Sequence, residues 1–203
     1  MHRRLNATVF MKVSTKSMRL RDVIRPGVRI LFVGINPGLR SAATGHHFAG
    51  YSNRFWKLLY ESRLVPEPIS YADDRRLPEW EFGITNLLAR PTAGISELKP
   101  SELRAGRRAL VAKIRRLQPE TVVLVGVTVF RSLFPGAPYA GLGRQRERLG
   151  SARIFVLPNP SGRNANFTYG EMLAAFRGLK RALKKRGSEL STRPRRRADH
   201  DID

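Results

Sequence analysis

Residues 29–38 read Arg29-Ile30-Leu31-Phe32-Val33-Gly34-Ile35-Asn36-Pro37-Gly38. The first half is a short apolar-rich run, which is typical of a strand buried on both faces of a parallel sheet. The second half combines two glycines, a proline and one uncharged amide. Such a loop suits a rigid backbone cradle that brings main-chain donors close to a flat or anionic ligand, with Asn36 as its central polar group.

This loop differs from the common nucleotide-binding loops. It lacks both the Lys-Ser/Thr ending of a phosphate-binding loop and the GxGxxG order of a dinucleotide site, so we expect no cofactor. The chain has no cysteine, which excludes disulfides, zinc–thiolate sites and cysteine nucleophiles. Its only adjacent histidines are His46 and His47. Adjacent side chains point apart and no partner ligand is evident, so we expect no metal site.

Three further apolar runs resemble the first one. They cover residues 82–87, 121–126 and 153–157. Together with residues 29–34 they predict a mainly parallel sheet of four strands.

Helical patterns occupy the segments between and after these strands. Residues 53–62 and 101–117 have apolar side chains at helical spacing, and Thr168 and Glu171 form a capping box at the start of a last helix. Strands that alternate with helices imply right-handed crossovers. The pattern therefore predicts an α/β fold, a three-layer sandwich with the sheet in the middle.

Ligands of such sheets bind at the carboxyl ends of the strands. That rule selects the loops 34–41, 86–94 and 158–166. The last of these mirrors the first, since it also leaves a strand, contains Asn, Pro and Gly, and opens into a helix. Two such loops at one edge of a sheet indicate a binding site.

The chain is strongly basic, with a formal net charge of +22 over 203 residues. Its last 24 residues hold nine Lys/Arg and four Asp/Glu, so 29 basic and 12 acidic side chains remain in the rest. A folded body this basic repels itself and favours polyanionic partners, of which nucleic acid is the first expectation. An arginine-rich proteome is the alternative explanation.

The length allows one substantial domain. We expect residues 1–21 to be a basic N-terminal arm or the product of a misplaced start, residues 22–186 to be a single domain, and residues 187–203 to be a disordered basic and acidic tail. No stretch approaches the ~18–20 apolar residues of a membrane span, and we expect no membrane partner. We expect a monomer.

Four groups of residues carry a family resemblance: Gly34-Ile35-Asn36-Pro37-Gly38-Leu39; Ala43-Thr44-Gly45 with Phe48-Ala49 and Asn53-Arg54-Phe55-Trp56-Lys57; Arg90-Pro91-Thr92; and Leu157-Pro158-Asn159-Pro160-Ser161-Gly162. In order and spacing they look like the mismatch-specific uracil/thymine DNA glycosylases, the second family of the uracil-DNA glycosylase superfamily. The resemblance spans about residues 28–186.

The resemblance implies a uracil-DNA glycosylase-like fold and a monofunctional DNA-repair enzyme. Such an enzyme flips uracil, and in some members thymine or etheno-cytosine, out of mismatched double-stranded DNA. It then hydrolyses the N-glycosidic bond and leaves an abasic site. The resemblance also implies an intracellular, DNA-associated protein, in the cytoplasm or nucleoid of a bacterium.

The resemblance assigns roles to five residues of a base pocket. Asn36 would position the attacking water, and it cannot act as a base because an amide takes up no proton near neutral pH. Backbone at Ile35 and Gly38 would contact the base. Phe48 would stack on the base, and Asn159 would help to bind it.

Further residues would contact DNA by the same likeness. Ser41 falls where a phosphate-binding serine is expected, and Ser161, Gly162, Arg163 and Asn164 belong to a loop that would press into the minor groove. Bacterial relatives have an apolar wedge followed by Ser-Arg at this point, where the present chain continues from Arg163 into Asn164. An arginine there can fill the gap left by the flipped base, stack on its neighbours or donate to an opposing guanine.

Several alternatives stay open. Asn86 would be either a second water-positioning amide of the base pocket or a strand-end cap. Without the resemblance, Asn36 reads as a turn cap and Phe48 as a core residue. The competing functions are a non-catalytic basic nucleic-acid-binding protein and an α/β hydrolase or transferase that acts on nucleotides.

Overall fold

A computed structural model describes residues 19–191 of the chain. Within them a five-stranded sheet has the order β2-β1-β3-β5-β4. All neighbouring strands run parallel except β4, which is antiparallel to β5. The strands are β1 (Ile30–Gly34), β2 (Phe82–Asn86), β3 (Thr121–Val125), β4 (Gly143–Leu149) and β5 (Ala152–Leu157).

Alternate residues of a strand point to opposite faces of the sheet. Because the central strands carry apolar side chains on both faces, helices cover both faces. Phe32 and its neighbours pack against α2 and α5, whereas Leu31 and Val33 face α3 and α4. The α-helices are α1 (Leu39–Thr44), α2 (Phe55–Glu61), α3 (Pro100–Leu117), α4 (Val127–Leu133) and α5 (Tyr169–Ser191), and 3₁₀ turns occupy Tyr71–Trp80 and Ile95–Glu97.

The predicted three-layer α/β fold is confirmed, and the number of strands is corrected from four to five. The fifth strand, β4, was missed because it carries Arg144, Arg146 and Arg148 and ends in a single large apolar residue, Leu149. Strand prediction relied on apolar runs. An edge strand with one side open to solvent has no such run.

The predicted start of the last helix is confirmed. The Thr168 backbone N–H donates to Glu171 Oε2 at 2.7 Å, and the Glu171 N–H donates to Thr168 Oγ1 at 3.3 Å. The helix continues to Ser191, so residues 187–191 of the expected tail are helical. The rest of that tail, and residues 1–18 of the expected basic arm, lie outside the described residues.

Candidate active site

The three loops selected from the sequence meet at one edge of the sheet. The Leu87 N–H donates to Gly34 O at 2.8 Å, and the Thr92 N–H donates to Pro37 O at 3.2 Å, so the loops after β1 and β2 run side by side. The loop after β5 joins them through Arg163, as described below. Between them lies a cavity of about 550 Å³. This cavity lies at the edge where the rule for parallel sheets places a ligand.

Asn36 lies in this cavity with its amide held in one orientation. Its Nδ2 donates to Pro37 O (3.2 Å), Arg90 O (3.1 Å) and Thr92 Oγ1 (2.7 Å). The Thr92 hydroxyl donates onward to Gly94 O at 2.8 Å, so its oxygen is the acceptor for Asn36. Among the described residues no group donates to Asn36 Oδ1. That oxygen can accept a hydrogen bond from a water molecule and orient it.

Asn86 and His47 form a second polar pair in the cavity wall. His47 Nε2 lies 3.0 Å from Arg21 O, and His47 Nδ1 lies 3.5 Å from Asn86 Nδ2. A carbonyl only accepts, so Nε2 carries the ring hydrogen and Nδ1 accepts from the amide. Burial lowers the pKa of His47, which favours this neutral ring.

The same pairing turns the Asn86 carbonyl oxygen toward the cradle. A Cβ placed on Gly34 would lie 2.5 Å from Asn86 Oδ1, so only glycine fits at position 34. Within the described part of the chain, the Asn86 side chain makes no capping hydrogen bond to a backbone group. The water-positioning role of Asn86 in a base pocket stays a prediction.

Phe48 stands between the cavity and the core. Its backbone is in the left-handed region (φ 50°), which costs a non-glycine residue about 1 kcal/mol or more. Its ring stacks on buried Phe55, with centroids 4.2 Å apart and planes at 24°. The half-buried ring also lines the cavity. Core packing thus fixes a flat surface that a base can stack on, and both interpretations of Phe48 fit this geometry.

Ile35 and Gly38 present backbone to the cavity. The Ile35 carbonyl is already used, because it accepts from the Leu88 N–H at 2.9 Å. A Cβ placed on Gly38 would meet nothing within 4 Å, so the space beside this backbone is open. The predicted contacts of both residues with a base stay predictions.

Ser41 has a structural role that the sequence did not indicate. The residue is only 6% exposed, and its Oγ accepts from the Ala49 N–H at 3.1 Å. The Ser41 carbonyl accepts from the Gly45 N–H at 3.0 Å. These bonds tie α1 to the segment that carries Phe48. The phosphate contact expected of Ser41 stays a prediction.

The loop after β5 is organised by its own side chains. Asn159 Oδ1 accepts from the Ser161 N–H at 3.1 Å, and Asn159 O accepts from Asn164 Nδ2 at 2.8 Å. Both the side-chain and the backbone carbonyl oxygens of Asn159 therefore already accept hydrogen bonds within the loop. Asn159 Nδ2 donates to no described residue. Because Asn159 lines the cavity, this NH₂ group can donate to a base oxygen.

This loop also packs closely on the segment before α2. A Cβ placed on Gly162 would lie 2.4 Å from Ser52 Cβ and 2.7 Å from Ser52 O. The Arg54 N–H donates to Pro160 O at 2.9 Å. Glycine is therefore required at position 162 for the loop to sit where it does.

Arg163 reaches from this loop across to the loop after β2. Its side chain is exposed, and Nη2 donates to Ala93 O at 3.3 Å. The arginine thus lies at the rim of the cavity, on the side where a DNA-contacting loop is expected. Its role as a wedge stays a prediction.

Arg90 fastens the loop after β2 to α3. Its guanidinium makes two bonds to the Glu102 carboxylate, of 2.7 and 2.9 Å, and Nη2 donates to Glu97 O at 3.0 Å. The bonds from Arg90 lower the pKa of Glu102 to about 2. Arg90 therefore positions the loop whose backbone holds Asn36.

Two parts of the cavity wall were missed. Thr92 was noted only as part of a motif, and its role depends on a hydrogen bond that sequence does not reveal. The segment 126–129 after β3 also lines the cavity. The edge rule applies to it as well, but Thr128 is its only polar side chain, so its sequence does not indicate a polar site.

A family model described as the uracil DNA glycosylase superfamily matches residues 21–184. The chain belongs to the uracil DNA glycosylase superfamily, whose members are DNA glycosylases, hydrolases that act on DNA. Membership agrees with the three-layer fold and with a cavity at the carboxyl edge of the sheet. It indicates uracil DNA glycosylase activity in general.

Two negative findings apply to residues 19–191 alone. None of the helices there combines the length and the apolar content that crossing a bilayer requires. No group of three or more His, Asp or Glu side chains in that range is placed to hold a metal ion.

Proposed function

We propose that the protein is a monofunctional, mismatch-directed DNA glycosylase. It flips uracil out of a mismatched pair in double-stranded DNA, hydrolyses the N-glycosidic bond and leaves an abasic site, with thymine and etheno-cytosine as further candidate bases. The proposal includes an intracellular, DNA-associated protein that acts as a monomer. The observation that carries it is the fixed Asn36 amide, whose free carbonyl oxygen shares one cavity with Phe48, Asn86 and Asn159.

Hydrolysis of the N-glycosidic bond requires little of the protein beyond positioning the base and a water molecule. A duplex buries the sugar carbon, so the base must be extruded, at the lowest cost from a mismatched pair. Uracil leaves as a stabilised anion, and the oxocarbenium-like sugar that remains can be captured by a weakly activated water. A water accepted by Asn36 Oδ1 meets this need without a carboxylate base.

Other residues of the pocket bind the base and stabilise the charge that develops on it. Phe48 offers a flat surface backed by Phe55, and the Asn159 NH₂ is free to donate to a base oxygen. Backbone donors of the cradle stabilise charge on the departing base in the manner of an oxyanion hole. Arg163 at the rim fills the space that the flipped base vacates.

The test uses labelled duplexes with a central G·U, G·T or G·etheno-cytosine pair, followed by alkali. Strand breaks at the lesion are expected for G·U. Asn36→Ala should lower the single-turnover rate by about 10²-fold or more, while the affinity for the same duplex is retained. Binding without breaks on every lesion would instead identify a non-catalytic nucleic-acid-binding protein. Activity that survives Asn36→Ala would refute the mechanism but not the family.

A further inference from the structure

A second depression lies beside the active cavity. It is a groove of about 580 Å³, and four residues line both the groove and the cavity: Arg40, Phe48, Gly50 and Asn53. Four of its nine other lining residues are aromatic: Tyr51, Trp56, Tyr60 and Tyr71. The groove thus adjoins the cavity, and Phe48 is one of the residues that they share.

Tyr51 is the most unusual residue of this groove. The side chain is large and partly apolar, yet the residue is 90% exposed. Arg40 supports it from one side, with Cζ 3.6 Å from the centre of the Tyr51 ring. Arg40 is itself fixed, because Nε donates to Ala49 O at 2.7 Å and Nη2 donates to Tyr71 Oη at 3.3 Å. An exposed ring on a rigid support is a stacking platform.

Charge decides what such a platform accepts. Arg40 and Lys57 line the groove, and none of its lining residues is a carboxylate. An aromatic groove without cations would suit a methylated ammonium group, but the Arg40 guanidinium repels one. Lys57 is partly neutralised, because its Nζ lies 3.6 Å from Glu61 Oε1. Arg40 Nη1 donates to no described residue, so a donor is available to an anion. A flat ring attached to a phosphate fits this combination.

We propose that the groove binds an unpaired nucleotide next to the target nucleotide on the same strand. The base of this neighbour stacks on the open face of Tyr51, and its phosphate lies against Arg40 Nη1 and Lys57. The assignment of the strand rests on the proposed function, because it places the target base against Phe48. It follows that the protein engages single-stranded or frayed DNA as well as a closed duplex.

The test measures binding of single-stranded oligonucleotides that contain 2-aminopurine, a base whose fluorescence falls when it stacks. One oligonucleotide has uracil next to the 2-aminopurine and another has no uracil. Stacking on an aromatic side chain contributes about 1–3 kcal/mol per base, so Tyr51→Ala should weaken binding by about 5- to 150-fold and restore the fluorescence. Tyr51→Phe should behave as the wild type.

Two controls separate base stacking from charge. An oligonucleotide with an abasic tract in place of the stacking base should bind the wild type and Tyr51→Ala with the same affinity. Lys57→Gln should weaken binding of the 2-aminopurine oligonucleotide and of the abasic one alike. The loss should exceed that in Arg146→Gln, the same charge change on strand β4.

The proposal would be overturned if Tyr51→Ala left affinity and fluorescence unchanged, or weakened the abasic oligonucleotide equally. Binding of polyglutamate with the same loss in Tyr51→Ala would also overturn it, in favour of an acidic peptide. The oligonucleotide without uracil reports on the groove without any excision. Failure of the groove and failure of the glycosylase function are therefore distinguishable.

Discussion

At the scale of single residues, the site depends on which way one amide faces. The sequence identified Asn36 as the central polar group, but its orientation is set by Arg90 O and Thr92 Oγ1, which lie 54 and 56 positions away. Local sequence patterns do not report such distant partners. Asn86 illustrates the same limit, since its partner His47 lies 39 positions away.

Thr92→Val should lower the single-turnover excision rate about five- to tenfold and leave DNA affinity unchanged. The change removes one acceptor of the Asn36 amide, and a hydrogen bond of this kind contributes about 1 kcal/mol. Thr92→Ser keeps the oxygen and should keep the rate. Rates are compared at saturating protein, with affinity measured separately. A loss in Thr92→Ser with none in Thr92→Val would show that packing of the Thr92 methyl group matters instead.

At the scale of elements, buried strands were predictable and exposed ones were not. The strands β1, β3 and β5 are apolar because they contribute side chains to the clusters on both faces of the sheet, and the edge strand β2 buries Phe82 and Ile84 on one face. β4 lies at an edge and alternates arginine with other residues, so its pairing with β5 arises from tertiary context. The short helix α4 was likewise not singled out in the sequence.

Gly162→Ala should displace the loop after β5 and lower excision about tenfold or more. The added methyl group would lie 2.4 Å from Ser52 Cβ. Adding Ser52→Gly should restore only part of the rate, because Ser52 O remains 2.7 Å away. Gly170→Ala is a matched control, since its Cβ would meet nothing within 4 Å. Single-turnover rates and thermal melting together show whether the loss is local.

Glu102→Gln should reduce the loss of thermal stability on acidification. The folded-state pKa of Glu102 is about 2, below its ordinary value of 4.5. A lowered carboxylate pKa contributes stability above the ordinary value, and that contribution disappears as pH falls from about 4.5 toward 2. The melting temperature at pH 7 minus that at pH 3 should be smaller in Glu102→Gln. Glu147→Gln, the same change on β4, serves as the control; an equal reduction there would contradict the prediction.

At the scale of the whole molecule, the charge was evident from composition but its distribution was not. The formal net charge is +22. On α3, Arg104, Arg107, Arg108 and Arg115 are exposed, and no ion pair to them is found among the described residues. The loops of the site add Arg163. The protein therefore presents basic surface well beyond the cavity.

DNA affinity should fall steeply with salt, because released counterions drive binding. For six or more phosphate contacts the loss is about 10³-fold or more between about 50 and 200 mM salt. The single-turnover rate at saturating protein should change less than about twofold. Arg163→Gln should reduce the salt slope by about one contact and Arg146→Gln should not. Equal slopes for both variants would place the DNA elsewhere on the surface.

The arginines of β4 affect whether a further strand can add to this edge of the sheet. β4 is the outermost strand on its side, and its outer backbone groups offer a template on which a strand of another copy can add. Such an addition would bring the two rows of Arg144, Arg146 and Arg148 within about 5 Å of each other across the new ladder. Like charges that close disfavour the pairing. The arginines that prevent β4 from being recognised as an apolar run thus also disfavour growth of the sheet by self-association at this edge.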